Sequence, residues 1–220
     1  MRDRQYVYLH GFASSPHSAK AKYLRSRFHS LGWELQTPDL NLPNFTDLTL
    51  TRQIHQVATV IQTATPNAPA VTLMGSSLGG LTAAWVGERH PQVDRLVLLA
   101  PAFGFLAHWL PKLGEAKLAQ WQAQATLPVY HYGYQTELPL NYRFIADFYA
   151  YDDATLQRPI PTLILHGRQD ETIPISASRT YAQTRSWVTI QELDSDHSLA
   201  NVISQVWQAT RAFCQIDSPT

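Results

Sequence analysis

Short apolar runs alternate with longer amphipathic stretches along the chain. Gln5–Leu9, Trp33–Thr37, Ala70–Met74, Arg95–Ala100, Pro161–Leu165 and Trp187–Leu193 are β-rich and too short for buried helices. Between them, apolar positions recur at helical spacing. Leu24, Phe28 and Leu31 mark one buried face, with Ser15-Pro16 as the expected N-cap and first helical residue and Gly32 as the end. Ile54, Val57, Ala58 and Ile61 fall at i, i+3, i+4 and i+7 of a second helix. Leu78, Leu81, Thr82 and Trp85 mark a third, which runs up to Pro91, and Leu199, Val202, Ile203, Val206 and Phe213 a tail helix. Apolar strands separated by helices predict an α/β fold. Its expected form is three layers, a mostly parallel sheet of about six strands with helices on both faces.

The rhythm breaks once. The strands at 95–100 and 161–165 are separated by a segment far longer than an ordinary connection, which holds half of the chain's aromatic residues. Within it Val129–Tyr134 alternates like a hairpin and Tyr142–Tyr151 reads as helical. We expect a single domain over residues 1–220 in which 103–157 forms a lid. Most of its aromatics should pack on one another. Phe103, which follows a strand end, and Trp109 are the candidates to line a substrate pocket.

The strand that starts at Ala70 runs into Gly75-Ser76-Ser77-Leu78-Gly79-Gly80. A serine on a tight strand-to-helix turn needs small residues two before and two after it. Gly75 and Gly79 meet that demand around Ser77, whereas Met74 and Leu78 rule out a frame centred on Ser76. Ser77 is therefore the candidate nucleophile, and an ordinary glycine-rich turn is the alternative.

A serine hydroxyl needs a base, and the base needs an orienting acid. His197 sits in a polar loop after the last strand and opens the tail helix, which makes it the candidate base. Asp170 lies just beyond the strand that ends in His166-Gly167 and is the candidate acid, with Glu171 as its neighbouring rival. The chain order Ser…Asp…His fits this assignment. Backbone N–H groups of Leu78, at a helix start, and Phe12, in the turn after the first strand, are the candidate oxyanion donors. His10 and His166 end strands and read as wall residues of the site. His10 is the one counted as contacting substrate.

Composition narrows the classes. Lys plus Arg equals Asp plus Glu, at 17 each, so no basic stripe speaks for nucleic acid and no acidic tail is present. Cys214 is the only cysteine, which excludes an intrachain disulfide and fits a reducing compartment. Arg2, Asp3 and Arg4 precede an apolar stretch that stops at His10-Gly11, too short for a signal peptide. Leu96–Leu110 is interrupted by Pro101, Gly104 and His108 and is too short for a membrane span. A cytoplasmic protein is expected. No zinc-ligand spacing, dinucleotide fingerprint or P-loop is present, so neither cofactor nor metal is expected.

Tyr8-Leu9-His10-Gly11-Phe12-Ala13-Ser14-Ser15-Pro16 with Lys20 soon after, Pro38-Asp39-Leu40, and Gly75–Gly80 resemble the short bacterial esterases of the YqiA/YcfP-like family. The α/β-hydrolase superfamily to which these belong is resembled over nearly the whole chain. The resemblance implies a serine esterase without a cofactor, acting on a small-molecule ester. It also implies a sheet lacking the first two strands of larger members. The aromatic-rich insertion is longer than the shortest family members carry, so substrate range does not transfer. A thioesterase or a carbon–carbon bond hydrolase would use the same triad. A non-catalytic binding module could use the same fold.

Overall fold

The computed structural model describes residues 4–63 and 70–217, so Arg2 and Asp3 lie outside it. In chain order the elements begin with β1 (Arg4–Leu9), α1 (Ala19–Ser30), β2 (Leu35–Gln36), α2 (Leu50–Thr63), β3 (Ala70–Ser76), α3 (Leu78–Arg89) and β4 (Val93–Leu99). An inserted segment follows with α4 (Phe105–Leu113), α5 (Glu115–Gln124), β5 (Thr126–His131), β6 (Thr136–Asn141) and α6 (Arg143–Phe148). The chain then returns through β7 (Thr162–Gly167), α7 (Ile175–Gln183), β8 (Val188–Leu193) and α8 (Ile203–Cys214).

Six strands pair in the order β2-β1-β3-β4-β7-β8, and every pairing is parallel. Their side chains alternate between two cores, as the twofold period of a strand requires. Tyr6, Tyr8, Met74, Val97, Leu99, Leu163 and Leu165 face a core shared with Ala21, Leu24 and Phe28 of α1 and Val206 and Trp207 of α8. Val7, Leu9, Val71, Leu73, Leu96, Leu98 and Ile164 face the other, shared with Ile54 and Val57 of α2, the α3 helix and the inserted segment. These two covered faces make the three layers, and explain why the strands read as continuous apolar runs.

Three boundaries differ most from expectation, the tail helix among them: Leu199 stands at φ 54° ahead of a short turn, and α8 starts only at Ile203. The first helix begins at Ala19, capped by Ser18, whose hydroxyl accepts from Ala21 N. Ser15 is occupied otherwise: its hydroxyl accepts from His17 N at 3.2 Å and its carbonyl from Ser18 N at 3.1 Å, closing a turn ahead of the helix. The second strand shrinks to Leu35–Gln36. Trp33 turns its ring edge onto Tyr6, with centroids 5.3 Å apart, and so leaves the ladder.

The inserted segment carries its own small antiparallel sheet, β5 with β6. Phe105, Trp109, Trp121, Phe144 and Phe148 pack together, with ring centroids 4.9 to 5.9 Å apart. Trp121 is fully buried and donates its indole N–H to Leu140 O at 2.8 Å, tying α5 to β6. Burying a ring of this size stabilises by about 3 kcal/mol, so the cluster holds the segment as a packed unit. It is fastened to the sheet domain at several points. Asn141 N donates to Thr46 O and Thr51 N to Asp147 Oδ2, each at 2.9 Å.

Candidate active site

Strand order reverses between β1 and β3. Ligands of open parallel sheets bind at such a switch point, beyond the carboxyl ends of the strands. Ser77 stands there, one residue past β3. Its backbone angles are φ 54° and ψ −119°, a strained conformation for a residue with a side chain. The flanking glycines are required by close backbone approach. A Cβ at Gly75 would collide with the backbone of Gly79 and Gly80, and one at Gly79 with the carbonyls of Leu9 and His10. The elbow is therefore wedged against the end of β1. Ser77 N donates to Leu99 O and its carbonyl accepts from Gly80 N, Leu81 N and Ala102 N. Its hydroxyl bonds no other described residue.

The turn after β1 lies beside the elbow. A Cβ on Gly11 would sit 3.3 Å from Ser77 Cβ. Among the described residues no acceptor takes the amide hydrogens of Phe12 or Leu78, the two candidate oxyanion donors. The turn is braced from beneath. His10 is buried, its Nδ1 donating to Gly11 O at 2.9 Å and its Nε2 accepting from Leu40 N at 3.0 Å. Asp39 Oδ1 accepts from the Asn41 backbone and side-chain N–H groups, and Asn41 Nδ2 also donates to Ser14 O. His10 thus stands inside the wall, with both ring nitrogens engaged by backbone, and not on a substrate-facing surface. Pro38-Asp39-Leu40 serves the same brace.

Asp170 and His197 come together. His197 Nδ1 lies 2.7 Å from Asp170 Oδ2, the carboxylate fully buried and the imidazole partly exposed. Asp170 Oδ1 accepts from the N–H groups of Thr172 and Ile173, each at 2.8 Å. Glu171, the rival carboxylate, is exposed. Burial pushes the Asp170 carboxyl up. Hydrogen bonds from His166, His197 and the Ile173 N–H outweigh that and hold it well below the usual carboxylate range. The charged carboxylate therefore contributes stability at neutral pH that is lost on strong acidification. The loop carrying His197 is held against β7, where a Cβ on Gly167 would strike the carbonyls of Ser195 and Asp196. Ser77 and the end of β7 are two strands apart, roughly 10 Å. No hydrogen bond joins Ser77 to His197 among the described residues.

His166, read from the sequence as a wall residue, stands behind the Asp170 carboxylate. It is fully buried, with Nε2 3.0 Å from Asp170 Oδ2 and from Ile173 O, and Nδ1 2.8 Å from Ser178 Oγ. Its place four residues before Asp170 was the available signal. Ser178, on α7, gave none.

The aromatic candidates divide. Trp109 is partly exposed and meets the Phe12 ring edge-on at 5.7 Å. Phe12 also contacts Phe105 and Phe144. The α4 helix continues toward the acid loop, where Lys112 Nζ donates to the carbonyls of Glu171 and Thr172. It thus bridges the turn after β1 and the loop that carries Asp170. Phe103 instead stacks on Tyr181, centroids 3.9 Å apart, and lines a cavity of about 620 Å³ between α7 and the inserted segment. That cavity's walls include none of Ser77, Asp170 and His197.

The family model of the uncharacterised protein family UPF0227 matches residues 5–214. The chain belongs to UPF0227. No curated protein matches it. Among solved structures, this UPF0227 chain resembles α/β hydrolases over almost its full length. Est1E from Butyrivibrio proteoclasticus with ferulic acid bound superposes with a TM-score of 0.82 at 17% identity, covering 97% of this chain and 89% of that one. Alpha/beta hydrolase domain-containing protein 10 from mouse gives 0.80 at 19%, covering 96% and 89%. A monoacylglycerol lipase from Paleococcus ferrophilus gives 0.72 at 17%, covering 94% and 93%. At these identities the likeness is one of fold: the UPF0227 chain has the α/β-hydrolase fold. No metal-ligand cluster is found among the described residues, and none of the described helices is long and apolar enough to cross a membrane.

Proposed function

We propose that the chain is a serine hydrolase that cleaves carboxylic esters through an acyl-enzyme. Ser77 is the nucleophile, His197 the general base and Asp170 its orienting carboxylate. The Asp170 bond fixes Nδ1 of His197 and leaves Nε2 for proton transfer. Ser77 Oγ attacks the ester carbonyl as its proton passes to Nε2. The N–H groups of Phe12 and Leu78 hold the oxyanion that forms. Collapse of the intermediate passes the proton to the leaving alcohol and leaves the acyl group on Ser77. Water, activated by the same imidazole, then releases the acid.

One observation carries this reading. A strained serine with an unengaged hydroxyl stands at the switch point of the sheet, and a histidine bonded to a buried carboxylate stands past the same end of the sheet, on the loop after β8 that is held against the end of β7. Two structural neighbours, a lipase and a protein solved with ferulic acid, favour ester chemistry. The balanced charge and the aromatic α4 above the turn favour an uncharged acyl ester of small or medium size. The inserted segment then acts as the lid, with Trp109 on its inner wall facing Phe12 of the turn after β1. The single cysteine, Cys214, is buried, which fits a reducing cytoplasm. The test is a panel of p-nitrophenyl and thioester substrates of graded acyl length. Ser77→Ala should lower kcat by on the order of 10³-fold or more, Ser76→Ala only mildly, and esters should turn over faster than thioesters. Near-normal turnover by folded Ser77→Ala would refute the assignment.

A further inference from the structure

The Asp170 carboxylate receives two imidazoles on one oxygen. Oδ2 is 2.7 Å from His197 Nδ1 and 3.0 Å from His166 Nε2. A carboxylate that serves one catalytic histidine needs no second, and burying an extra imidazole is costly unless both its nitrogens are satisfied. Here both are. His166 Nε2 faces two acceptors, Asp170 Oδ2 and Ile173 O, so it carries a hydrogen and donates. With that tautomer Nδ1 accepts from the Ser178 hydroxyl at 2.8 Å. Both His166 and Ser178 are fully excluded from solvent. Ser178 lies on α7, so the arm runs from a helix of the outer layer through the end of β7 to the acid.

We propose that Ser178 and His166 form a positioning arm that orients the Asp170 carboxylate and thereby His197. The proposal rests on the triad reading above. Physically, Oδ1 is held by two backbone N–H groups of its own loop, Thr172 and Ile173. That leaves the carboxylate able to swing about the Oδ1 side. The His166 N–H approaches Oδ2 from a second direction and removes that freedom. It also shares the oxygen's negative charge, so Asp170 draws less strongly on His197 Nδ1–H than a carboxylate with a single partner would. Other charged groups around Asp170 are Lys20 of α1, within electrostatic range, and Lys112 of α4, on the carbonyls of Glu171 and Thr172. Asp196 lies beside His197 in the chain. None of these donates a hydrogen bond to Oδ2.

The experiment compares His166→Phe, which fills the space without an N–H, with His166→Gln, whose amide N–H reaches toward the same oxygen. Ser178→Ala is included because it is small enough to leave folding intact, and folding is checked by near-UV circular dichroism. The proposal expects His166→Phe to lose on the order of 10- to 100-fold in kcat with KM unchanged, the cost of a slightly misplaced catalytic group. His166→Gln should recover most of that loss, and Ser178→Ala should lose several-fold in kcat. The acid limb of kcat/KM should move to higher pH in His166→Phe, because Asp170 is left with one imidazole and holds the His197 proton more tightly. If His166→Phe does not fold, the kcat and acid limb of Ser178→Ala decide. Wild-type kcat and an unmoved acid limb in folded His166→Phe, or in Ser178→Ala, would overturn the proposal. Ser77→Ala in the same assay separates the two readings: if it stays active the triad itself fails, and if it is dead while the His166 and Ser178 variants are normal, only the arm fails.

Discussion

The elbow around Ser77 and the inserted segment between β4 and β7 are built on opposite rules. At the elbow, backbone meets backbone. Gly75 and Gly79 have no room for a single extra carbon, because the ends of β1, β3 and α3 converge there. In the inserted segment, side chain meets side chain. Five aromatic rings fill one another's gaps, and Gly114, between α4 and α5, has nothing within 4 Å of where its Cβ would be. The first region tolerates one backbone path and hence one sequence pattern. The second tolerates many packings of similar volume. On the proposed function, chemistry would sit on the first and selectivity on the second, so that substrates could change without rebuilding the catalyst.

That contrast can be broken most sharply with glycine. Gly79→Ala forces β1 and α3 apart and should cost more than about 4 kcal/mol, the range reserved for severe core lesions. Gly114→Ala meets no atom, and only its left-handed backbone, at φ 82°, is penalised, by about 1–3 kcal/mol. Denaturant melts of the two variants give the comparison directly, and equal losses would show that both regions are backbone-limited.

A smaller effect on activity separates the two aromatic candidates. Trp109→Ala should change the preference between short and long acyl esters by tens-fold, in line with about 1–3 kcal/mol per methylene-sized contact. Phe103→Ala should leave that preference alone and instead cost about 3–5 kcal/mol of stability, since its ring is buried against Tyr181. A chain-length profile that moves with Phe103 and not with Trp109 would place the acyl pocket in the α7 cavity.

The smallest effect is electrostatic and belongs to the elbow side. Lys20, in the first turn of α1, is half-buried. Burial pushes its ammonium down to about 8, against the attraction of Asp170 and Asp196. A lysine whose folded pKa lies below its unfolded value destabilises the fold while charged. The penalty is full below pH 8 and fades as pH rises to the unfolded value, near 10.4. Lys20→Met should therefore raise Tm by a few degrees at pH 7, with the gain shrinking toward pH 10. A gain independent of pH would assign the effect to packing.

The same contrast explains what was legible in the sequence. The strand and helix alternation, the parallel sheet and the Gly75–Gly79 frame could be read because each follows from a strict local requirement. The association of Asp170 with His197 follows from chain order, since the ends of β7 and β8 are neighbours in the sheet. Less could be read where side chains choose among partners. His10 stands at a strand end like a wall residue, yet its ring turns inward to hold Leu40, thirty residues away. Phe103 follows a strand end, and its ring goes to α7 instead of the serine. The start of α1 moved from Ser15 to Ser18 because both serines can cap, and only the turn after β1 decides which one is free to do so.

The most direct test of the account is where a fluorophosphonate probe attaches. It reacts only with a serine activated by its neighbours, so it reads the whole constellation at one atom. After incubation with wild-type protein, tryptic mapping by mass spectrometry should place a single adduct on Ser77. Labelling should be absent in Ser77→Ala and slowed by on the order of 10³-fold or more in His197→Ala. An adduct on Ser76, or labelling of Ser77 at the same rate without His197, would contradict the account.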